Sequence, residues 1–179
     1  MNITVISSST RKARRSHRVA LAVVRQINAL GHQASIVDLI ELDLPPFVER
    51  YGKIDDATGQ LAHAANTMRN SDGIIFLTPE YNGSMSSGLK NFIDVFAKDA
   101  FDGKPIGVAT VSVGAAVGIR AAYQLQQTIL SVLADPIPRM LTVGNVEKVI
   151  DESGQVTSHK FQTKLDEFLG SYLSFVSKF

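Results

Sequence analysis

Short apolar runs alternate with longer amphipathic stretches five times along this chain. That alternation constrains the fold more than any other feature. Ile3 to Ile6 is β-branched and too short for a helix, so it reads as a strand. From Ser16 to about Leu30, the apolar positions Val19, Val23, Ile27 and Leu30 recur at helical spacing, with Gly31 placed as a C-cap. Ala34–Asp38 is a second strand, and Leu39–Thr58 is a long loop containing Pro45-Pro46. Ala57–Asn70 is helical on Leu61, Ala65 and Met68. Ile74 to Leu77 is continuously apolar, as expected of a strand buried on both faces. The pattern continues with a helix over Ser86–Lys98, a strand over Ile106–Val113, a helix over Gly118–Leu133 and a strand over Ile137–Val143. A closing helix runs from Ser158 to about Lys178. Parallel strands need crossover helices, so this order predicts an α/β fold with a five-stranded parallel sheet and helices on both faces. The 179 residues fit one domain over 1–179.

Composition narrows the function. With 45% hydrophobic and 20% charged residues the chain is an ordinary globular one. It has no cysteine, which removes disulfides, thiolate metal sites and thiol nucleophiles together and fits a reducing cytoplasmic setting. A net charge of +1 gives no broad basic footprint for nucleic acid and no acidic field for steering a protein partner. No apolar stretch approaches the length of about 20 residues that inserts into a membrane, and no signal-peptide core follows Met1. His17, His32, His63 and His159 are scattered without metal-ligand spacing and read as surface histidines.

Ligands of open α/β sheets bind beyond the carboxyl ends of the strands, near the switch in strand order. Three strand ends carry suggestive chemistry. Ser7 to Ser16 places five hydroxyls and four cations between a buried strand and a helix start. Backbone N–H groups there favour an anion, and Arg11 or Arg14 offers charge-assisted bonds to a phosphate. The segment contains neither G-x-G-x-x-G nor a Walker sequence. Taken alone, it fits an anion site or a solvated basic loop capped by Ser16. The second segment is Thr78-Pro79-Glu80-Tyr81-Asn82-Gly83-Ser84. Its tyrosine and backbone donors suit a planar ligand, but its residues equally suit a plain turn. The third, Val111 to Gly118, is made of small residues that admit a flat ligand edge or pack a tight strand-to-helix turn.

Together the three loops resemble the NADPH-dependent FMN reductase family, which has a flavodoxin-like three-layer sandwich. Its P-E-Y-N and G-x-L-K-N-x-x-D patterns stand here as Pro79 to Asn82 and Gly88 to Asp94. Its phosphate loop, G-S-x-R-x-x-R-x-S, reads Ser8 to Ser16, and its S-x-G-G-x-x-G loop reads Ser112 to Gly118. The resemblance implies that Ser9, Arg11 and Ser16 hold the FMN phosphate. Arg14 is a further candidate cation for the cofactor, and Arg14 or Arg15 offers a charge for the NADPH 2′-phosphate, with solvent exposure the other reading of Arg15. It implies that Pro79, Glu80, Tyr81, Asn82 and Gly83 line the isoalloxazine ring. Ser112 and Gly114 would meet the ring's far edge. It also implies a ping-pong cycle in which NADPH (or NADH) gives a hydride to flavin N5. The reduced flavin then serves a free flavin, quinone, azo compound or metal oxyanion. No catalytic side chain is required, since the cofactor carries the chemistry.

A homodimer or homotetramer is implied too. Candidate contact surfaces are the apolar loop around Leu44 to Val48 and the helix bearing Phe92 and Phe96, two residues that equally suit the core. The alternative reading is a flavodoxin-like electron carrier that holds FMN without oxidising NAD(P)H. The chain departs from the family pattern at Ser8 for a glycine, Ser86-Ser87 for Pro-Gly, Val95 for a tryptophan and Ala115 for a glycine. Ser8 adds a side chain where the family's backbone passes near phosphate. Ser86 and Ser87 leave the turn before the third helix less fixed.

Overall fold

The computed structural model describes the whole chain except Ala57, Ala115, Ala116 and the side chain of Lys98. The apolar runs form the parallel strands β1 (Asn2–Ser7), β2 (Gln33–Asp38), β3 (Gly73–Pro79) and β4 (Pro105–Val111). The edge of the sheet is completed by β5 (Asp135–Pro136) and β6 (Leu141–Val143), both paired to β4. Of the strand expected over Ile137–Val143 only Leu141–Val143 forms, as β6, and β5 lies just before that range. Pro136 and Pro138 cannot donate to a ladder, which breaks the strand between them and Leu141.

The crossovers are α1 (Ser16–Ala29), α3 (Gln60–Arg69), α4 (Ser87–Phe101) and α5 (Ile119–Ser131), with α7 (His159–Val176) closing the chain. Two four-residue helices escape the periodicity reading, α2 (Leu39–Leu42) and α6 (Val146–Val149). The second helix begins at Gln60, after the left-handed Gly59, and its expected start at Ala57 lies outside the described residues.

The strand order is β2-β1-β3-β4-β5, with every pair parallel. Residues alternate in direction along each central strand. Ile75 and Leu77 point into one core with α1 and α7, while Ile74 and Phe76 point into the other with α3, α4 and α5. β3 and β4 are buried along their whole lengths, as their unbroken apolar runs require. The order reverses between β1 and β3, so a crevice opens beyond their carboxyl ends.

Part of the long second loop folds back on α4. Tyr51 N donates to Val95 O at 2.8 Å, Asn91 Nδ2 donates to Pro45 O at 2.7 Å, and the Tyr51 and Phe96 rings lie 5.4 Å apart. Phe92 and Phe96 are core residues, which removes them as a contact surface. Phe47 and Val48 remain exposed at the loop's tip.

Candidate functional site at the switch point

A cleft of about 150 Å³ lies beyond the ends of β1, β3 and β4. Ser9, Arg11, Arg14 and Ser16 line one side, and Pro79, Glu80, Tyr81 and Ser112 line the other. Asn82, Gly83 and Gly114 do not line it. Val113 and the first residue of α6, Val146, also form its wall. Neither carries a polar signature that a sequence reading would single out.

The phosphate-loop side is built from buried hydroxyls. Ser7, Ser8, Ser9 and Ser16 are all buried. Ser9 Oγ and Tyr81 OH share a hydrogen bond of 2.8 Å, and Arg11 lies over the Tyr81 ring at 5.9 Å. The Ser16 hydroxyl has no hydrogen-bond partner among the described residues. It stands at the first position of α1, whose N-terminus has no side-chain cap. The leading N–H groups of a helix have no intrahelical acceptor, so this end carries open donors and a partial positive charge. Ser16 is thus not the plain N-cap that one reading of the sequence allowed.

Arg14 is committed elsewhere. Its guanidinium makes a two-pronged ion pair with the buried Asp38 at the end of β2, and its Nη1 also donates to Ser9 O at 3.3 Å. Burial pushes the Asp38 carboxyl up, but the bonds and charge of Arg14 and the Ile40 N–H outweigh it, leaving the carboxyl below its ordinary value. His17 is also part of this cluster rather than a free surface histidine. Its Nδ1 is 3.0 Å from Ser7 Oγ and 3.5 Å from Asp38 Oδ2. Burial first, and the Arg14 charge second, lower its pKa. Arg15 pairs with Glu147 at the surface.

The departures from the family pattern compensate one another. Ser8 does not line the cleft. Its hydroxyl turns inward to Ser86 Oγ at 3.0 Å, and Ser86 Oγ in turn donates to Ser8 O at 3.1 Å. Ser86 N donates to Thr78 Oγ1 at 2.9 Å, and Ser86 Oγ accepts from Leu89 N at 3.2 Å in the first turn of α4. The Ser8 side chain therefore leaves the cleft free, and the turn at Ser86 is held by side-chain bonds in place of a proline. The departure at Ala115 lies outside the described residues.

On the other side, Tyr81-Asn82-Gly83-Ser84 is a tight turn. Tyr81 and Ser84 exchange backbone bonds of 2.9 and 3.0 Å, with φ of 51° at Asn82 and 82° at Gly83. Two successive positive φ values explain the Asn-Gly pair. The Glu80 carboxylate turns away from the cleft centre to the start of α5. It accepts from Arg120 Nε at 2.9 Å and from the Arg120 and Ala121 N–H groups at 3.1 and 3.4 Å. Burial raises the Glu80 pKa, but these donors and the Arg120 charge leave it below its ordinary value. Arg120 was not visible as a site residue, because its partner is 40 positions away in sequence. Lys90 and Asp94, four residues apart on α4, pair at 2.7 Å outside the cleft lining. No group of three His, Cys, Asp or Glu residues is placed to hold a metal among the described residues.

Known proteins are similar to this chain in sequence and in fold. A quinone reductase of Pseudomonas putida is 29% identical over 98% of this chain and 94% of its own. An NADPH azoreductase from a Bacillus strain is 27% identical over 87% of this chain and 83% of its own. Among solved structures, the flavoenzyme NAD(P)H:(acceptor) oxidoreductase FerB of Paracoccus denitrificans superposes with a TM-score of 0.81 at 22% identity, covering 99% of this chain and 97% of its own. An archaeal flavodoxin superposes at 0.64 with 11% identity over 99% of this chain and 98% of its own, which shows the flavodoxin-like fold. Residues 1–153 match the description NADPH-dependent FMN reductase, and the chain belongs to that family.

Proposed function

We propose that this chain is an FMN-dependent NAD(P)H oxidoreductase serving a small-molecule acceptor of the quinone or azo class. One observation carries the reading: a buried Ser16 hydroxyl, without a partner among the described residues, at the uncapped start of α1 in the lining of the switch-point cleft. A buried hydroxyl without a partner costs about 1–3 kcal/mol. A phosphate oxygen at this helix end removes that cost and meets the helix's open donors. The cleft therefore fits the phosphate end of FMN. Ser9, Ser16 and Arg11 hold the phosphate in this proposal. Pro79 and Tyr81 border the ring and Ser112 faces its far edge, while Asn82 and Gly83 form the turn that carries Tyr81, and Gly114 N donates to Ser112 Oγ from outside the lining. Glu80 supports that border from behind by fixing Arg120 and the start of α5.

Bound FMN supplies acceptance of a hydride from NAD(P)H and its delivery to the acceptor. The chain's own residues bind, orient and leave one side open for donor and acceptor in turn. No side chain is assigned a proton transfer. Steady-state NADPH oxidation with a quinone should require FMN and give parallel double-reciprocal lines. Intersecting lines would overturn alternate use of one open face.

The chain is further proposed to be a cytoplasmic homo-oligomer. Among the described residues no helix is long and apolar enough to cross a membrane. Ile119, Tyr123, Leu130 and Leu133 are exposed along α5 and its end, and no charged residue occurs from Ala121 to Ala134. A surface helix ordinarily carries charge on its solvent side, whereas interface cores are depleted of it. The surface expected on the α4 phenylalanines is thus assigned to α5 instead. Tyr123→Lys with Leu130→Lys should yield monomers by sedimentation, and an unchanged assembly would refute this surface.

A further inference from the structure

The Arg14–Asp38 ion pair sits where a cofactor phosphate would compete for the arginine. Asp38 is fixed before any ligand arrives. It ends β2, lies in register with Ser7 at the end of β1, is 7% exposed, and caps α2 by accepting from Ile40 N at 3.0 Å. The loop from Ser8 to Arg15 leaves the sheet beside it. Arg14 reaches back from the far end of that loop and binds Asp38 with both terminal nitrogens, while Nη1 also takes the Ser9 carbonyl. The loop closes on itself through Arg14 N donating to Arg11 O at 3.1 Å. Both ends of the loop are thus tied to the Arg14 guanidinium, which Asp38 holds in place. Arg14 and Arg15 also line the cleft but are paired with Asp38 and Glu147, so the loop's polar side chains without a carboxylate partner there are Ser9, Arg11 and Ser16.

We propose that Asp38 and Arg14 act as a clasp: they are positioning residues that hold the phosphate loop in its binding shape, and Arg14 is not itself the phosphate's main cation. This rests on the FMN reading above. The pair is nearly charge-neutral as a unit, so its guanidinium offers a phosphate little net attraction. Its rigid fork offers geometry instead, which a lysine cannot reproduce.

The two roles for Arg14 predict opposite signs. If Arg14 were the phosphate ligand, Asp38→Asn would release it and FMN would bind as tightly or more tightly. If it is a clasp, Asp38→Asn loosens the loop and FMN binds more weakly, by roughly tenfold or more for a lost charge-assisted contact. Flavin fluorescence titrations with FMN and with riboflavin separate loop from fold. Riboflavin lacks the phosphate, so its affinity should stay within about twofold where only a phosphate contact is lost. Arg14→Lys should weaken FMN like Asp38→Asn, and the double variant should be no worse than either alone, because one clasp is broken once.

Unchanged or tighter FMN binding by Asp38→Asn, additive losses in the double variant, or full FMN affinity in Arg14→Lys would each overturn the clasp. If Asp38→Asn also loses riboflavin through misfolding, Asp38→Ser, which equally frees Arg14, carries the same opposite-sign test. Wild-type protein that does not bind FMN would overturn the functional reading and, with it, the clasp. FMN binding by wild type with no effect of either substitution would overturn the clasp alone.

Discussion

At the β1–α1 end of the cleft, four serines are no more than 3% exposed and a buried ion pair ties the loop down. At the Ser112–Gly114 end, Val113 is 61% exposed, and among the described residues a Cβ added at Gly114 would meet only the Ser112 hydroxyl, at 3.8 Å. The two ends differ in what they can recognise. A preformed set of donors selects one charged group and keeps it, because little ordering remains to be done on binding. An open apolar rim admits flat molecules of varied outline. One cofactor with several acceptors is the behaviour such a division produces.

The largest expected effect breaks the comparison at its tight end. Ser16→Ala should weaken FMN by about 10–100-fold, the range for a hydrogen bond to a charged group. The ligand-free protein should melt no lower than wild type, since the hydroxyl has no partner to lose. A drop in both would make Ser16 a structural residue. Gly118→Ala acts next to the open end. A Cβ there would lie 2.9 Å from Thr110 Cβ, and φ is +77°. Calorimetry should show a loss of about 1–3 kcal/mol from overpacking and strain. Wild-type stability in this variant would mean that the loop before α5 yields freely.

Acid sharpens the comparison more gently. Glu80 has a folded pKa below its ordinary value, so its contribution is complete above about pH 4.3 and is lost as pH falls through the lower folded value. The melting-temperature gap between wild type and Glu80→Gln should be constant near neutrality and shrink on acidification. A gap independent of pH would show that the carboxylate charge contributes nothing there. The smallest effect is expected at the rim. Val113→Ser should move KM for a quinone by roughly twofold to fivefold, the scale of one partly exposed apolar side chain, and leave FMN affinity alone. Altered FMN binding by this variant would erase the distinction between the two ends.

The same division governs what the sequence reveals. Strands and helices are legible because their apolar spacing is local, from the continuous run at Ile74 to the 3.6-residue repeat of α1. The three loops are legible because hydroxyls, Asn-Gly and small residues cluster in sequence. Side-chain direction is not. Glu80 stands beside the tyrosine in sequence but is drawn to Arg120, and Arg14 stands in the phosphate loop but is drawn to Asp38. Ser8 and Ser86 read as two separate departures, yet they are one hydrogen-bonded pair 78 positions apart. Each is decided by a partner that only the sheet topology brings near. The four-residue α2 and α6 are missed because they are too short for any period to register.

The central claim is that this cleft binds FMN in a form that NAD(P)H can reduce. The most direct measurement mixes FMN-loaded protein with NADPH under anaerobic conditions and follows the flavin's visible absorbance. Bleaching should be far faster than that of free FMN at the same concentration. Flavin that stays bound and unbleached with both NADPH and NADH would contradict it and leave an electron carrier in its place.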